Sequence, residues 1–309
     1  MVIVDNNFSK EIKEGTYVAL GSFDGLHTGH RALINKAFEK AKANKCKSMV
    51  YTFKNHPLTV VRKNFVPELI MDNKSKARLI ESLGIDYVAF VEFNEEFMRL
   101  SPEDFIKIIF KKFNVKGIVV GFNHKFGYKN MGDINLLKEL SKELNFELVI
   151  IEPQSHNGEV ISSSIIRNFI KSGEMERANE YLMEPFMIRG IVKHGKKLGR
   201  TLGFPTANLE YRKDTIIPSI GIYYTNIRIN KKVFKAMTNI GYNPTVDGKE
   251  LSIETFILDF NEEIYGKEIE VYFIEKVRDE IKFNSLEELK DQLKKDEDYG
   301  RHKKICLKS

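Results

Sequence analysis

The chain has 309 residues, 42% hydrophobic and 30% charged, with a formal net charge of +6. That length exceeds the usual size of one core and points to two domains, while no apolar run approaches the roughly 20 residues that a membrane-spanning helix needs. The lysines are dispersed among apolar and acidic residues, not gathered into a nucleic-acid-binding face; Cys46 and Cys306 fit no metal or disulfide spacing, and residues 1–10 lack a leader pattern, so the expected setting is the cytoplasm, without membrane or nucleic-acid partners.

In chain order, the apolar runs Tyr17–Leu20, Met49–Phe53, Tyr87–Val91, Gly117–Val120 and Leu148–Ile151 read as strands buried on both faces. Leu33, Ile34, Ala37, Phe38 and Ala41 recur at helical spacing after the first run, and Leu136, Leu137, Leu140 and Leu144 do so before the last. Strands alternating with helices predict a parallel sheet covered on both faces. The texture changes near Met183–Phe186, where Pro185 breaks the preceding helix. Beyond it, Phe186–Val192, Tyr223–Ile229, Val233–Ile240, Ser252–Leu258 and Ile269–Ile274 are β-rich and separated by turn residues, the pattern of a small antiparallel barrel. Ser285 and Glu288 form a capping-box signature ahead of Leu286, Leu289 and Leu293, which predicts a terminal helix. The expected fold class is α/β: a Rossmann-like domain with a parallel sheet over residues 1–184, then a small antiparallel β-barrel with a terminal helix over residues 185–309.

The segment from Gly21 to His30, Gly-Ser-Phe-Asp-Gly-Leu-His-Thr-Gly-His, directly follows the first strand and opens its helix. Anions bind at this place in α/β folds because helix N-terminal amides and the helix dipole favour them. Gly21, Gly25 and Gly29 allow the backbone close to a ligand. His27 and His30, three residues apart, can share one face of the entering turn and donate hydrogen bonds to phosphoryl oxygens as charge builds. On the residues alone, two histidines in a Gly-rich turn are equally compatible with helix capping.

These ten residues resemble the G-x-F-D-G-x-H-x-G-H signature of bacterial FAD synthetases, within the nucleotidyltransferase superfamily marked by H-x-G-H. The resemblance implies an ATP site that includes Gly21, Phe23, Asp24, His27 and His30, with both histidines catalytic. The segment Ile161 to Arg167 is similar to the superfamily's I-S-S-T-x-I-R element, which implies that Ser162, Ser163, Ser164 and Arg167 hold the β- and γ-phosphates. Val120 to Gly127 resembles the family's G-x-[DN]-F-x-F-G loop beside the flavin, which brings in Asn123 and Phe126, with His124 where the family is usually aromatic. Thr52 to Pro57 resembles T-F-x-P-H-P with Asn55 in place of a proline, and His56 is there either a flavin contact or a turn histidine. The implied reaction is attack of the FMN phosphate on the α-phosphorus of ATP, which positioning and charge stabilisation can carry without a strong base.

Gly195 to Asn208 reads, on its residues, as a basic turn followed by a strand. It strongly resembles the riboflavin kinase motif G-x-x-L-G-R-x-[LI]-G-F-P-T-A-N. That resemblance implies ATP contacts from Gly195, Lys197, Gly199, Gly203, Pro205, Thr206 and Asn208, with Thr206 and Asn208 also holding Mg²⁺ through oxygen ligands. Further matches follow in the family's order at Asn239 to Val246, at Glu254, and at Arg278 to Glu280, from which Arg278 and Glu280 are expected to bind flavin. Glu254 occupies the family's catalytic glutamate position, and the neutral riboflavin 5′-hydroxyl benefits from such a base. Phe256 stands where the family commonly has histidine. The chain thus resembles bacterial bifunctional riboflavin kinase/FMN adenylyltransferases, which implies ATP and Mg²⁺ and the flavins riboflavin, FMN and FAD as substrates and products, and leaves room for a weak homo-oligomer. A catalytically inactive flavin- or nucleotide-binding regulator and an enzyme keeping one activity are the alternatives; intact His27, His30, Arg167, Thr206, Asn208 and Glu254 argue against the first.

Overall fold

The computed structural model describes residues 1–5, 11–62, 64–156, 159–195, 202–245 and 248–307. Packing divides the chain into two units, one of residues 1–67 and 72–163, the other of residues 68–71 and 164–309. No helix among the described residues is long and apolar enough to cross a membrane.

The first unit is built on six parallel strands: β1 (Val2–Asp5), β2 (Thr16–Leu20), β3 (Lys47–Phe53), β4 (Tyr87–Val91), β5 (Val115–Gly121) and β6 (Glu147–Ile151), in the order β1-β4-β3-β2-β5-β6. The five apolar runs of the sequence are β2 to β6. The edge strand β1 was not among the runs read from the sequence. Between strands run α1 (Thr28–Ala43), the short α2 (Leu58–Val61), α3 (Asn73–Ser82), the short α4 (Glu95–Met98), α5 (Pro102–Lys112) and α6 (Ile134–Leu144). Their starts are chemically marked: the side chains of Asp72, Ser101 and Asp133 each accept a backbone N–H in the first turn of α3, α5 and α6. Helix α1 packs along β2, β3 and β5 and buries Ile34, Ala37 and Ala41. Val18 and Leu20 of β2 pack instead in a core with Phe105 and Ile109 of α5 and Leu137 and Leu140 of α6. A two-residue hairpin, β7 (Ser155–His156) with β8 (Glu159–Val160), closes the unit.

From β2 the chain moves outward to β3 and β4 on one side and to β5 and β6 on the other. That reversal leaves a crevice beyond the carboxyl ends of β2 and β5, where open α/β sheets bind ligands.

The second unit begins with most of α7 (Ser163–Ser172) and with α8 (Met175–Tyr181), followed by β9 (Met187–Lys193), β10 (Thr206–Tyr211), β11 (Gly221–Ile229), β12 (Lys232–Thr245), β13 (Gly248–Ile257) and β14 (Glu268–Arg278). The strands close an antiparallel barrel in the order β10-β13-β12-β11-β14-β9, with β9 pairing both β14 and β10. β10 is the strand expected after the glycine-rich turn; β12 and β13 run longer than their apolar cores. Inside the barrel the hydroxyls of Thr225, Thr238 and Thr255 form a chain, 2.8 Å and 3.0 Å apart, so three buried polar groups satisfy one another.

The expected terminal helix is α9 (Leu286–His302); Ser285 caps it by accepting from Glu288 N, while the Glu288 carboxylate accepts from Asn284 N. Arg278, at the end of β14, grips the buried Asp296 of α9 with both Nε (3.0 Å) and Nη2 (2.6 Å). Asn179 of α8 donates to Phe273 O and accepts from Phe186 N, tying that helix to the barrel.

Candidate active sites

In the first unit the crevice is a cavity of about 620 Å³. Gly21 and Phe23 after β2, His27 and His30 at the start of α1, Asn123 and Phe126 after β5, and Ser162 and Ser163 all line it. The stretches after β2 and β5 converge because those strands are neighbours, and the start of α7, after the β7–β8 pair, joins them.

The His27 and His30 rings stack, with centroids 3.7 Å apart and planes 23° from parallel, and Phe23 meets His30 edge-on at 5.2 Å. This tight arrangement explains two glycines: a Cβ on Gly29 would lie 3.2 Å from the His27 ring, and one on Gly21 would lie 2.9 Å from the Phe23 ring. The turn between them has left-handed backbone at Phe23, Gly25 and Leu26. Its carbonyls are held from behind. The Ser22 carbonyl accepts from the Thr52 hydroxyl and from the Lys76 ammonium, each at 2.8 Å, and the Asp24 carbonyl accepts from Ser163 Oγ at 3.0 Å.

Lys76, one of the dispersed lysines of the sequence, is only 5% exposed. Burial pulls its pKa down to about 8, against the opposing pull of Asp24 and Asp72. A signal for this was present: Lys76 shares the i, i+3, i+4 face with Leu79 and Ile80, which are buried with it.

Near the other wall, His124 stacks on Phe126 at 5.7 Å. Burial lowers its pKa to about 4, so the ring is neutral at pH 7, and its buried Nε2 has no hydrogen-bond partner among the described residues. His56 is not among the lining residues; its Nδ1 accepts from Leu58 N at 3.2 Å and its ring lies 5.7 Å from Phe65, the local arrangement of a turn histidine. Arg167 follows Ser163 by one turn of α7 and donates from Nε to Glu68 O at 2.8 Å.

In the second unit the strand register assembles the site. Glu254 on β13 lies opposite Asn208 on β10 and opposite Asn239 on β12, so the three occupy one cross-strand row. Thr206 Oγ1 lies 3.4 Å from Glu254 Oε2. Gly195 is required by close approach, since a Cβ there would lie 2.1 Å from Asn208 Nδ2. Phe256, two residues beyond Glu254, pairs with Thr206 and packs edge-on against Phe204 at 5.3 Å, so it adds apolar packing where an imidazole would be polar.

Asn239 was quoted only as part of a motif; beside Glu254, its Oδ1 is buried without a partner among the described residues. Arg278 is engaged by Asp296 and by Asp279 O, and Glu280 Oε1 sits where a Cβ of Gly241 would be, 2.0 Å from it. Gly203 has φ +90°, with no described atom beyond its chain neighbours within 4 Å of where its Cβ would lie, and Pro205 immediately precedes β10. Lys197 and Gly199 lie outside the described residues.

An α/β unit with a histidine-lined cavity at its switch point is thus followed by an antiparallel barrel whose register aligns Asn208, Glu254 and Asn239, a two-module architecture. Residues 9–165 match the family model for FAD synthetase and residues 182–303 the model for riboflavin kinase. The chain is 40% identical to the bifunctional riboflavin kinase/FMN adenylyltransferase of Listeria monocytogenes, over 91% of this chain and 90% of that one. With the protein of the same description from Bacillus subtilis it shares 37% identity, over 93% and 92% of the two chains. A crystal structure from Streptococcus pneumoniae, described as a macrolide-efflux protein, matches with a TM-score of 0.89 and 31% identity over 98% of this chain and 100% of that one. The chain belongs to the bifunctional riboflavin kinase/FMN adenylyltransferase family, with its FAD synthetase module preceding its riboflavin kinase module.

Proposed function

We propose that residues 185–309 phosphorylate riboflavin to FMN and residues 1–184 adenylylate FMN to FAD, both with ATP. The matched ranges 9–165 and 182–303 support this division. The observation that carries it is the in-register row of Asn208 and Glu254 with Thr206 at 3.4 Å, because only the kinase reaction needs a base beside a nucleotide site. Glu254 takes the proton of the riboflavin 5′-hydroxyl as that oxygen attacks the γ-phosphorus, whose bond to the β,γ-bridging oxygen breaks and releases ADP. Thr206 and Asn208 are hard oxygen donors next to a carboxylate, a set that fits Mg²⁺. When bound, Mg²⁺ neutralises charge on the phosphates.

In the adenylyltransferase the nucleophile is already an anion, so the chain supplies geometry and charge compensation. His27 and His30 donate to phosphoryl oxygens as pyrophosphate departs, the amides of the Gly21–Gly25 turn and the hydroxyls of Ser162, Ser163 and Ser164 hold phosphate, and Arg167 adds a fixed cation. Asn123 and Phe126 bound the flavin end of the cavity. The free thiols of Cys46 and Cys306 suit a reducing compartment, and the enzyme is assigned to the cytoplasm.

Incubating the purified chain with riboflavin, ATP and Mg²⁺ and separating the flavins by chromatography tests the reading. FMN should appear first and FAD after it; conversion of supplied FMN to FAD without conversion of riboflavin would reduce the barrel to a binding module.

A further inference from the structure

The turn from Gly21 to His27 must offer donors to phosphate, yet a turn of this kind has as many carbonyls as amides. Which edge of each peptide faces the ligand depends on what fixes the other edge. In a trans peptide the carbonyl and the following N–H point in opposite directions, and the described chain contains no cis bond. The Ser22 carbonyl is held by two donors, the Thr52 hydroxyl from β3 and the Lys76 ammonium from α3, each at 2.8 Å. With that oxygen directed back toward β3 and α3, the Phe23 amide on the same peptide is directed away from them. Gly21, Ser22 and Phe23 all line the cavity, whereas Lys76 does not.

We propose that Lys76 is a positioning residue of the adenylyltransferase module, whose buried ammonium pins the Ser22 carbonyl and thereby presents the Phe23 amide to nucleotide phosphate. The proposal rests on the adenylyltransferase reading of this cavity. A buried ammonium is expensive to desolvate, and a neutral side chain of equal length would fill the same space; its retention beneath an anion-binding turn is accounted for by this work. The charge also attracts a polyphosphate at short range, through a medium that screens little.

The charged groups facing Lys76 are the carboxylates of Asp24, from the turn, and Asp72, from the start of α3. Both favour the ammonium, and burial opposes them, leaving its pKa at about 8 in the unliganded chain. The ammonium is therefore present below that pH and is lost as pH rises through it. A bound polyphosphate favours the charged form, so the alkaline decline belongs in kcat/KM for ATP at lower pH than in kcat.

The test uses the full chain with FMN and Mg²⁺-ATP. In K76M, kcat/KM for ATP in FAD formation should fall roughly 10- to 100-fold, less than for loss of a donor that itself touches the reacting phosphate, because the Phe23 amide is still present but no longer held through the ammonium. FMN binding, read by flavin fluorescence, and riboflavin phosphorylation by the same chain should be retained. In K76R, whose guanidinium stays charged, the rate should recover at least in part and the alkaline decline expected of the wild type near pH 8 should vanish. A wild-type rate in K76M overturns the proposal, as does the same alkaline decline in wild type and K76R; this second comparison stands even if K76M does not fold. A wild-type chain that makes no FAD from FMN would instead overturn the adenylyltransferase reading and the proposal with it.

Discussion

The two active sites solve the problem of gathering distant residues in opposite ways. The first is made mainly of loops that leave the ends of parallel strands: the turn after β2 and the loop after β5 converge on one cavity because β2 and β5 are neighbours, and the start of α7 joins them there. The second is made within the strands, where Asn208, Glu254 and Asn239 are brought into one row by the ladder of β10, β13 and β12. A loop site is free to carry left-handed backbone and needs side chains from behind to hold it, as Thr52, Lys76 and Ser163 do. A strand site is held by the barrel's own backbone bonds, so its accuracy depends on the register and on whatever keeps the barrel closed.

The contrast is sharpened most by Glu254→Gln. Riboflavin phosphorylation should fall roughly 1,000-fold, within the span for removal of a general base, while FAD formation from supplied FMN continues; a parallel fall of both activities in a folded variant would refute the division. His30→Ala should cost FAD formation roughly 100-fold, chiefly in kcat, because the imidazole acts on charge that develops only in the transition state. Kinase turnover should not change, and a raised KM for ATP at unchanged kcat would reduce His30 to a ground-state contact.

Asp296→Ala tests what the strand site depends on. It leaves Arg278 without its buried carboxylate partner and should destabilise the barrel unit by about 3 kcal/mol. In chemical denaturation, kinase activity should then be lost at a lower denaturant concentration than FAD formation; coincident loss at the wild-type midpoint would show that the pair does not support the barrel.

The smallest effect is expected from His124→Phe. With a folded pKa of about 4 against an ordinary 6.5, the unfolded chain takes up a proton as pH falls through 6.5 while the folded chain does not until about 4. The wild type therefore loses stability across that window and the phenylalanine variant loses less. At pH 7.5 the two should differ by under about 1 kcal/mol. Equal acid sensitivity in urea midpoints measured at pH 7.5 and 5 would contradict the assigned protonation state.

Much of this was legible from the chain. Contiguous apolar runs announced β2 to β6, because strands buried on both faces need no alternation, and the Ser285 signature announced α9. The glycine and histidine pattern before α1 was readable because its parts are adjacent in sequence. Lys76 was marked only by its helical spacing to Leu79 and Ile80, a signal that a single lysine among many does not make conspicuous. The row through Glu254 and Asn239 was equally hidden: it is created by pairing between strands, and register follows from turn geometry and from which face is buried. The engagement of Arg278 by Asp296 depends on where α9 docks, information that no local pattern contains.

The short stretch from Glu68 to Met71 has a consequence for how this molecule can be taken apart. It lies between segments of the first unit, yet it packs with the second. There Leu69 N donates to Asp214 O, Ile216 N donates to Leu69 O, and Glu68 pairs with Lys171. The order of the modules along the chain is therefore simpler than the order of the material that builds them. A fragment cut cleanly at residue 185 would keep every kinase signature and still leave behind the residues that satisfy Asp214 and Ile216, together with the helix through which Asn179 receives Phe186 N. Autonomy of the reaction and autonomy of the fold are separate properties here, and a severed barrel would have to find new partners for those groups in water.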